Sequence, residues 1–363
     1  MSRFATRRDK LRKLIKKAGA EGLLVTDFVN VTYLTGFTGD DSYLVILPKT
    51  EILVSDPRYT TQLETECPGL ELEIREPGVG MLDSVAGVLK KAKVSQLGFE
   101  ASSMTVALHG ALAEKLPQTS LVSTKDLVEE LRLIKDKEEV DAIRRAAWQA
   151  KRGFAALRAT LRPEQTELEV AAALEYQMRQ LGAKGCSFPS IIAVGANAAL
   201  PHARPGKQKI GENPLLLVDW GANEGLYMSD LTRIIVTGKM PPKLEDVYRL
   251  VLKAQLAGIA AIRPGVTCHQ VDEAARSIIA KAGHDKHFGH GLGHGIGLQI
   301  HEAPRLSRNQ NVELRPGMVV TVEPGIYLPG WGGVRIEDDI LVTAKGHEVL
   351  TDVPKEFEDC VLD

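Results

Sequence analysis

Cysteine is scarce in this sequence: four among 363 residues, at positions 67, 186, 268 and 360. None stands near another, so neither a disulfide framework nor a cysteine-ligated metal site is expected, and a reducing cytoplasm fits. No run of eighteen apolar residues occurs, and the basic opening stretch MSRFATRRDKLRKLIKK lacks the apolar segment of a secretion signal. The chain is therefore read as soluble and unprocessed, with no membrane contact. Net charge is small, −2 at pH 7, which gives no electrostatic reason for a polyanionic partner, so nucleic acid is not expected. Signatures of two large enzyme classes are missing as well: there is no Gly-Lys-Ser/Thr phosphate loop and no G-x-S-x-G nucleophile elbow.

What is present describes a globular protein, with 44% hydrophobic and 25% charged residues. The length exceeds one ordinary domain, and a boundary is expected near residue 127, giving domains 1–127 and 128–363. Short apolar runs (GLLVTD, SYLVILP, EILVSD) alternate with turn signals and flanking helical segments between residues 23 and 55, as in a small α/β unit. Leu11, Leu14, Ile15 and Ala18 recur at helical spacing, which predicts an amphipathic first helix with its charged face in solvent.

The second part contains an internal repeat. Arg162-Pro163 precedes a capping-box sequence at Thr166 and a helical pattern that stops at Gly182; Arg263-Pro264 precedes another at Thr267 that stops at Gly283, each landmark offset by the same 101 residues. A histidine follows in each half, His202 in LPHARP and His301 in QIHEAP. Then comes a Pro-led apolar strand carrying an acid: PLLLVD at Asp219, PGMVVTVE at Glu323. This ordered series points to a duplicated α/β half.

Each acidic strand begins a hairpin. A turn at Glu224-Gly225 would set Asp219 opposite Asp230; a turn around Gly330 would set Glu323 opposite Glu337. Like charges facing across strands are destabilising, and two such pairs in corresponding positions call for added positive charge, which a divalent cation supplies. The stretch HFGHGLGHGIGLQIHE, residues 287 to 302, carries the histidines. Its five glycines make a helix improbable, since each costs about 1 kcal/mol against alanine, and no G-x-G-x-x-G register fits it. Glycine lets a backbone pass close to an ion and adopt positive φ, so His290, His294 and His301 can be aimed from an extended segment.

These residues together resemble the proline-peptidase branch of the pita-bread metallopeptidases, which includes Xaa-Pro aminopeptidases and prolidases. DWGANEGLYMSDLTR is similar to that family's two-aspartate hairpin, GHGLGHGIGLQIHE to its histidine segment, and TVEPGIY and GVRIEDD to its glutamate strands. YLTGFTGD and ILVSDPRYTTQ look like its creatinase-like N-terminal domain. The resemblance implies an α/β fold with that small domain ahead of a pseudo-twofold pita-bread domain built on a curved antiparallel sheet. It implies two divalent ions, manganese first, with cobalt or zinc as alternatives. Asp219 would chelate one ion, Asp230 and Glu337 would bridge both, and His294 and Glu323 would complete the second site. His202, His290 and His301 match histidines lining the substrate site, Arg335 an arginine that steadies a ligand, and Glu323 would also move the proton. His284 and His287 have no such match and read as surface or packing residues.

The activity so implied is aminopeptidase cleavage of peptides with proline second, through a hydroxide bridging the ions, by a cytoplasmic homodimer. A prolidase acting on Xaa-Pro dipeptides is the alternative; a methionine aminopeptidase or a catalytically silent pita-bread binding protein fits less well. Two positions depart from the pattern: Leu226 stands where many relatives have glycine, and Ile234 where threonine is common.

Overall fold

Ser2 accepts a hydrogen bond from the Ala5 amide at 3.2 Å and opens α1 (Arg3–Lys17). In this computed structural model, which describes residues 2–239 and 241–362, Leu11 and Ile15 of that helix are buried, Leu14 is half-buried and Ala18 is exposed. The basic side is not all in solvent, contrary to the expectation from its spacing. Arg7 and Arg8 are buried and each donates at 2.8 Å to a carbonyl of the following helix, Tyr33 and Leu34. Those carbonyls lie in the last turn of a helix, where acceptors lack intrahelical partners and the dipole favours a cation.

The chain divides into two compact units, Met1–Arg132 and Leu133–Asp363. The first contains α1, β1 (Gly22–Val25), α2 (Phe28–Thr35), β2 (Ser42–Ile46), β3 (Glu51–Ser55), α3 (Thr60–Glu66), β4 (Glu71–Ile74), α4 (Met81–Ala92), β5 (Gln96–Glu100), α5 (Val106–Lys115), β6 (Ser120–Thr124) and α6 (Leu127–Arg132). Its six strands run in the order β4-β3-β2-β1-β5-β6. β1 is buried along its whole length, which explains why its sequence, GLLV, shows no polar alternation. The last helix, α6, packs on α1 and α2, so this unit extends to Arg132 where the sequence suggested a boundary near 127.

The second unit contains two similar halves. In one, α7 (Lys137–Arg158) and α8 (Glu167–Gln180) precede β7 (Gly185–Cys186), β8 (Ile191–Val194), β9 (Leu215–Trp220), β10 (Ala222–Glu224), β11 (Tyr227–Met228) and β12 (Leu231–Val236). In the other, α9 (Pro242–Ala261) and α10 (Cys268–Lys281) precede β13 (Gly293–Gly295), β14 (Glu302–Leu306), β15 (Val319–Val322), β16 (Gly325–Leu328), β17 (Gly332–Arg335), β18 (Asp338–Val342) and β19 (His347–Val349). Both expected capping boxes form: Thr166 with Glu169 opens α8, and Thr267 with Gln270 opens α10, each helix having 14 residues.

The strands order as β12-β9-β8 and β14-β13-β15-β18-β19, with all pairings within these two sheets antiparallel. α7 backs the first hairpin through Trp220, whose indole stacks on Phe154 at 4.2 Å and donates to the Ala150 carbonyl at 3.0 Å. α10 anchors the histidine segment: Arg276, paired with Asp272, donates to the His290 carbonyl at 2.7 Å, and Asp272 accepts from the Leu292 amide at 3.0 Å. Among the described residues no helix is long and apolar enough to cross a membrane.

Candidate active site

The first hairpin turns one residue later than expected. Glu224 pairs with Tyr227, so the turn is Gly225-Leu226, with φ of +55° and +74°, and Asp219 lies opposite Thr232 instead of Asp230. Asn223 explains the choice: its Oδ1 accepts from the Leu226 amide at 3.0 Å and supports a left-handed leucine that would otherwise be strained. A shift of two residues in register preserves which face each side chain takes, so Asp219 and Asp230 still share the front of the hairpin. The second hairpin has the expected register. Val322 pairs with Asp338 and Gly325 with Arg335, which leaves Glu323 and Glu337 facing each other between the two ladders.

Gly293 and Gly295 of the histidine segment serve close approach, not positive φ. A Cβ on Gly293 would lie 2.0 Å from the Thr321 carbonyl oxygen and one on Gly295 2.2 Å from that of Ala303. Neither residue has positive φ. His294 is thus drawn between two neighbouring strands. Its amide donates to Thr321 Oγ1 at 3.0 Å, and its Nδ1 lies 3.0 Å from the Gly295 carbonyl. A carbonyl only accepts, so Nδ1 carries the hydrogen and Nε2 keeps its lone pair. That nitrogen lies 3.4 Å from Glu323 Oε1 and 3.7 Å from Asp230 Oδ2.

Donor atoms of Asp230, His294 and Glu337 all lie within 4.8 Å of one another, and all three residues are buried. Glu323 joins them through His294. Asp219 is held by Arg335 Nη2 at 2.5 Å, while its Oδ1 is buried with no hydrogen-bond partner. Thr232 links the two hairpins, donating from Oγ1 to Glu337 Oε2 at 2.6 Å and accepting the Glu337 amide at 3.2 Å. Asp339 Oδ2 accepts the Asp230 amide at 3.0 Å.

Electrostatics set this cluster apart. Burial, then Glu337 and Asp219, holds the Asp230 carboxyl well above the carboxylate range. Glu337 is raised in the same way by burial, Glu323 and Asp219. Glu323 is pushed up to about 8 by burial, with Arg335 opposing. Burial lowers His294 to about 4, leaving a neutral imidazole. One buried guanidinium cannot neutralise four carboxyl groups. An orphaned oxygen, a free Nε2 and mutually repelling acids fit divalent cations.

The other expected residues fall around this core. His290 Nδ1 is 2.8 Å from the Gly291 carbonyl, and its Nε2 accepts from Tyr327 Oη at 2.8 Å; Arg335 Nη1 also reaches that hydroxyl at 2.9 Å. His290 is therefore turned toward Tyr327, a residue the sequence reading had passed over. His301 is exposed, its ring 4.4 Å from that of His294. His202 is exposed too and close enough to Asp219, His290 and His301 to act on their charge. His284 and His287 lie apart, their Nδ1 atoms 3.0 Å from each other. Arg305 was also missed. It pairs directly with His294 in the β13–β14 ladder, so its side chain shares that face, and its exposed guanidinium acts on Glu323, His294 and His301.

Residues 141–344 match the family described as metallopeptidase family M24, and residues 7–134 match the creatinase/prolidase N-terminal domain. An Xaa-Pro dipeptidase of Pyrococcus furiosus is 35% identical over 351 residues, covering 97% of this chain and 99% of that protein. Among solved structures, an Xaa-Pro dipeptidase from Bacillus anthracis superposes with a TM-score of 0.95 at 38% identity, over 99% of this chain and 100% of the other. An X-Pro aminopeptidase from Thermotoga maritima gives 0.88 at 32%, over 96% and 99%.

Proposed function

The chain belongs to metallopeptidase family M24, and on that premise we propose that it hydrolyses Xaa-Pro dipeptides with two divalent ions held by Asp219, Asp230, His294, Glu323 and Glu337. The observation that carries the dipeptide reading is Arg305. Among the described residues its guanidinium has no hydrogen-bond or ion-pair partner, yet it stands on the His294 face of the sheet at the rim of the carboxylates. A dipeptide ends in a carboxylate one residue beyond the bond to be cut; a longer peptide has a neutral amide there. A free guanidinium is the donor for that carboxylate. The dipeptidase relatives support the same choice over the aminopeptidase expected from sequence.

When bound, the ions would supply Lewis acidity toward the scissile carbonyl and acidify a water. The chain's own groups would do the rest. Glu323, steadied by the Thr321 hydroxyl at 3.3 Å, would accept a proton and return it to the departing proline nitrogen. His301 and His202, both exposed at the rim, would donate to the carbonyl oxygen as charge develops. Arg335 would hold Asp219 in place and Tyr327 would hold Arg335. Proline makes a tertiary amide with no N–H, so a site offering no acceptor there would leave an ordinary peptide's N–H unpaired. A donor set of four carboxylates and one imidazole suits manganese better than zinc. A reducing cytoplasm agrees with four free cysteines, and a homodimer follows from the family resemblance.

The test compares Xaa-Pro, Xaa-Pro-amide and Xaa-Pro-Yaa substrates on manganese-loaded protein. The dipeptide should have the highest kcat/KM, and Arg305→Gln should raise its KM by about 10- to 100-fold, the worth of a charge-assisted hydrogen bond, while leaving the amide unchanged. Preference for the tripeptide, with Arg305→Gln indifferent, would favour the aminopeptidase reading that the Thermotoga relative represents.

A further inference from the structure

β12 is buried along its whole length, and its sequence, LTRIIV, places Arg233 next to Thr232. Side chains alternate along a strand. Thr232 faces the carboxylates, so Arg233 faces the back of the sheet, where it is almost fully buried. The same alternation holds across the gap: Glu337 faces forward and Asp338 backward.

Behind the site Arg233 uses every donor it has. Nη1 donates to the Thr232 carbonyl at 2.9 Å and to the Glu337 carbonyl at 2.6 Å. Nη2 donates to Asp338 Oδ1 at 2.7 Å, to the Val353 carbonyl at 2.7 Å and to the Thr351 carbonyl at 3.2 Å; Nε also reaches Val353 at 3.3 Å. Asp338 has three further partners, Lys355 Nζ at 2.5 Å, Gln255 Nε2 at 2.8 Å and Thr351 Oγ1 at 3.1 Å.

We propose that Arg233 is a positioning residue for the metal ligands: it fixes the Glu337 peptide against the strand of Thr232 and against residues 351–353, so that Glu337 and Asp230 keep their spacing. The inference rests on the metal-site reading above and adds a part of the chain that touches neither ion nor substrate. Glu337 lies between the ladders of the second hairpin, where its backbone has no cross-strand partner of its own hairpin to hold it. Its amide is held by Thr232 and its carbonyl by Arg233, both from the other half of the unit. A rigid fork can reach two carbonyls of one strand pair, a carboxylate and the C-terminal segment at once. A lysine has a single nitrogen and cannot.

Manganese titrated calorimetrically into metal-stripped wild type, Arg233→Lys and Lys355→Met provides the test, with folding checked by circular dichroism. Lys355 is the second counter-ion of Asp338 and donates nothing to Glu337, so it reports the purely structural share. Arg233→Lys is expected to bind manganese about 10- to 100-fold more weakly, as for groups that orient metal ligands, while Lys355→Met loses thermal stability with its affinity unchanged. Wild-type affinity in a folded, thermally weakened Arg233→Lys would overturn the proposal. Should that variant not fold, Asp338→Asn applies the same test, since it releases the fork from its anchor; unchanged affinity there is equally contrary. Wild type that takes up no divalent ion would instead remove the metal reading itself, a result visible before any variant is compared.

Discussion

Glu337 and Asp338 are adjacent and both buried, yet their carboxyl groups are pushed in opposite directions. Glu337 is raised well above the ordinary value by burial and by Glu323 and Asp219. Asp338 is equally removed from water, but Arg233 and Lys355 overcome that burial and hold its carboxyl below the ordinary value. One strand thus separates two acidic clusters: the rear one is neutralised by the chain's own cations and hydrogen bonds, and the front one is not. A buried charge persists only when paired. The rear cluster is complete as structure; on the proposed function, cations from outside would complete the front one.

Substitution on each side of the strand should therefore behave differently. The largest effect is expected from Asp230→Asn, which should lower hydrolysis by at least about 10³-fold, since metal assistance supplies several kcal/mol of transition-state stabilisation. The metal-free variant should be as stable as wild type or more so, because a repelling acid has become a neutral amide. Asp338→Asn should instead destabilise by about 3–5 kcal/mol, leaving Arg233 and Lys355 buried without their counter-ion. Urea unfolding of both metal-free variants measures the contrast. Equal losses on the two sides would dissolve the distinction.

Much of the front cluster was legible in the sequence, and little of the rear one. Acids at corresponding positions of two hairpins, with a histidine-glycine stretch inside the second repeat, point to a cation site because like charges do not otherwise converge. The register of the second hairpin also followed from its spacing. The first did not, because the side chain of Asn223 stabilises a left-handed Leu226 that turn preferences alone would not choose. Tyr327 reads as a core aromatic of a strand until Arg335 and His290 are seen on its hydroxyl. Arg305 gains meaning only through a ladder that sets it beside His294. The rear cluster left a fainter trace: TRIIV and EDDILV each insert charge into an apolar strand, which a continuous core would not accept without partners.

Chelation and pH sharpen the same contrast with smaller effects. Restoring manganese to stripped wild type at a hundredfold excess over its Kd should add about 2.7 kcal/mol of stability, and none to Asp230→Asn. Without metal, pH should act oppositely on the two sides. Glu323, raised to about 8 from 4.5, favours the folded chain when protonated; its contribution is full below 4.5 and is lost as pH rises through 8. Asp338, lowered from 3.8, contributes above that value and loses its effect only as acid protonates it in the folded chain. Between pH 8 and 6.5 the raised front carboxyls dominate, so the Tm of the metal-free protein should climb as pH falls across that window; below 6.5 His290 and His294, each lowered to about 4, oppose the climb, and Glu100, raised to about 6, adds to it. Bound manganese, which keeps the front carboxylates ionised, should flatten the slope. A metal-free Tm that falls steadily from pH 8 to 6.5 would mean that the front carboxyls are already neutralised by the chain, and the contrast with Asp338 would be lost.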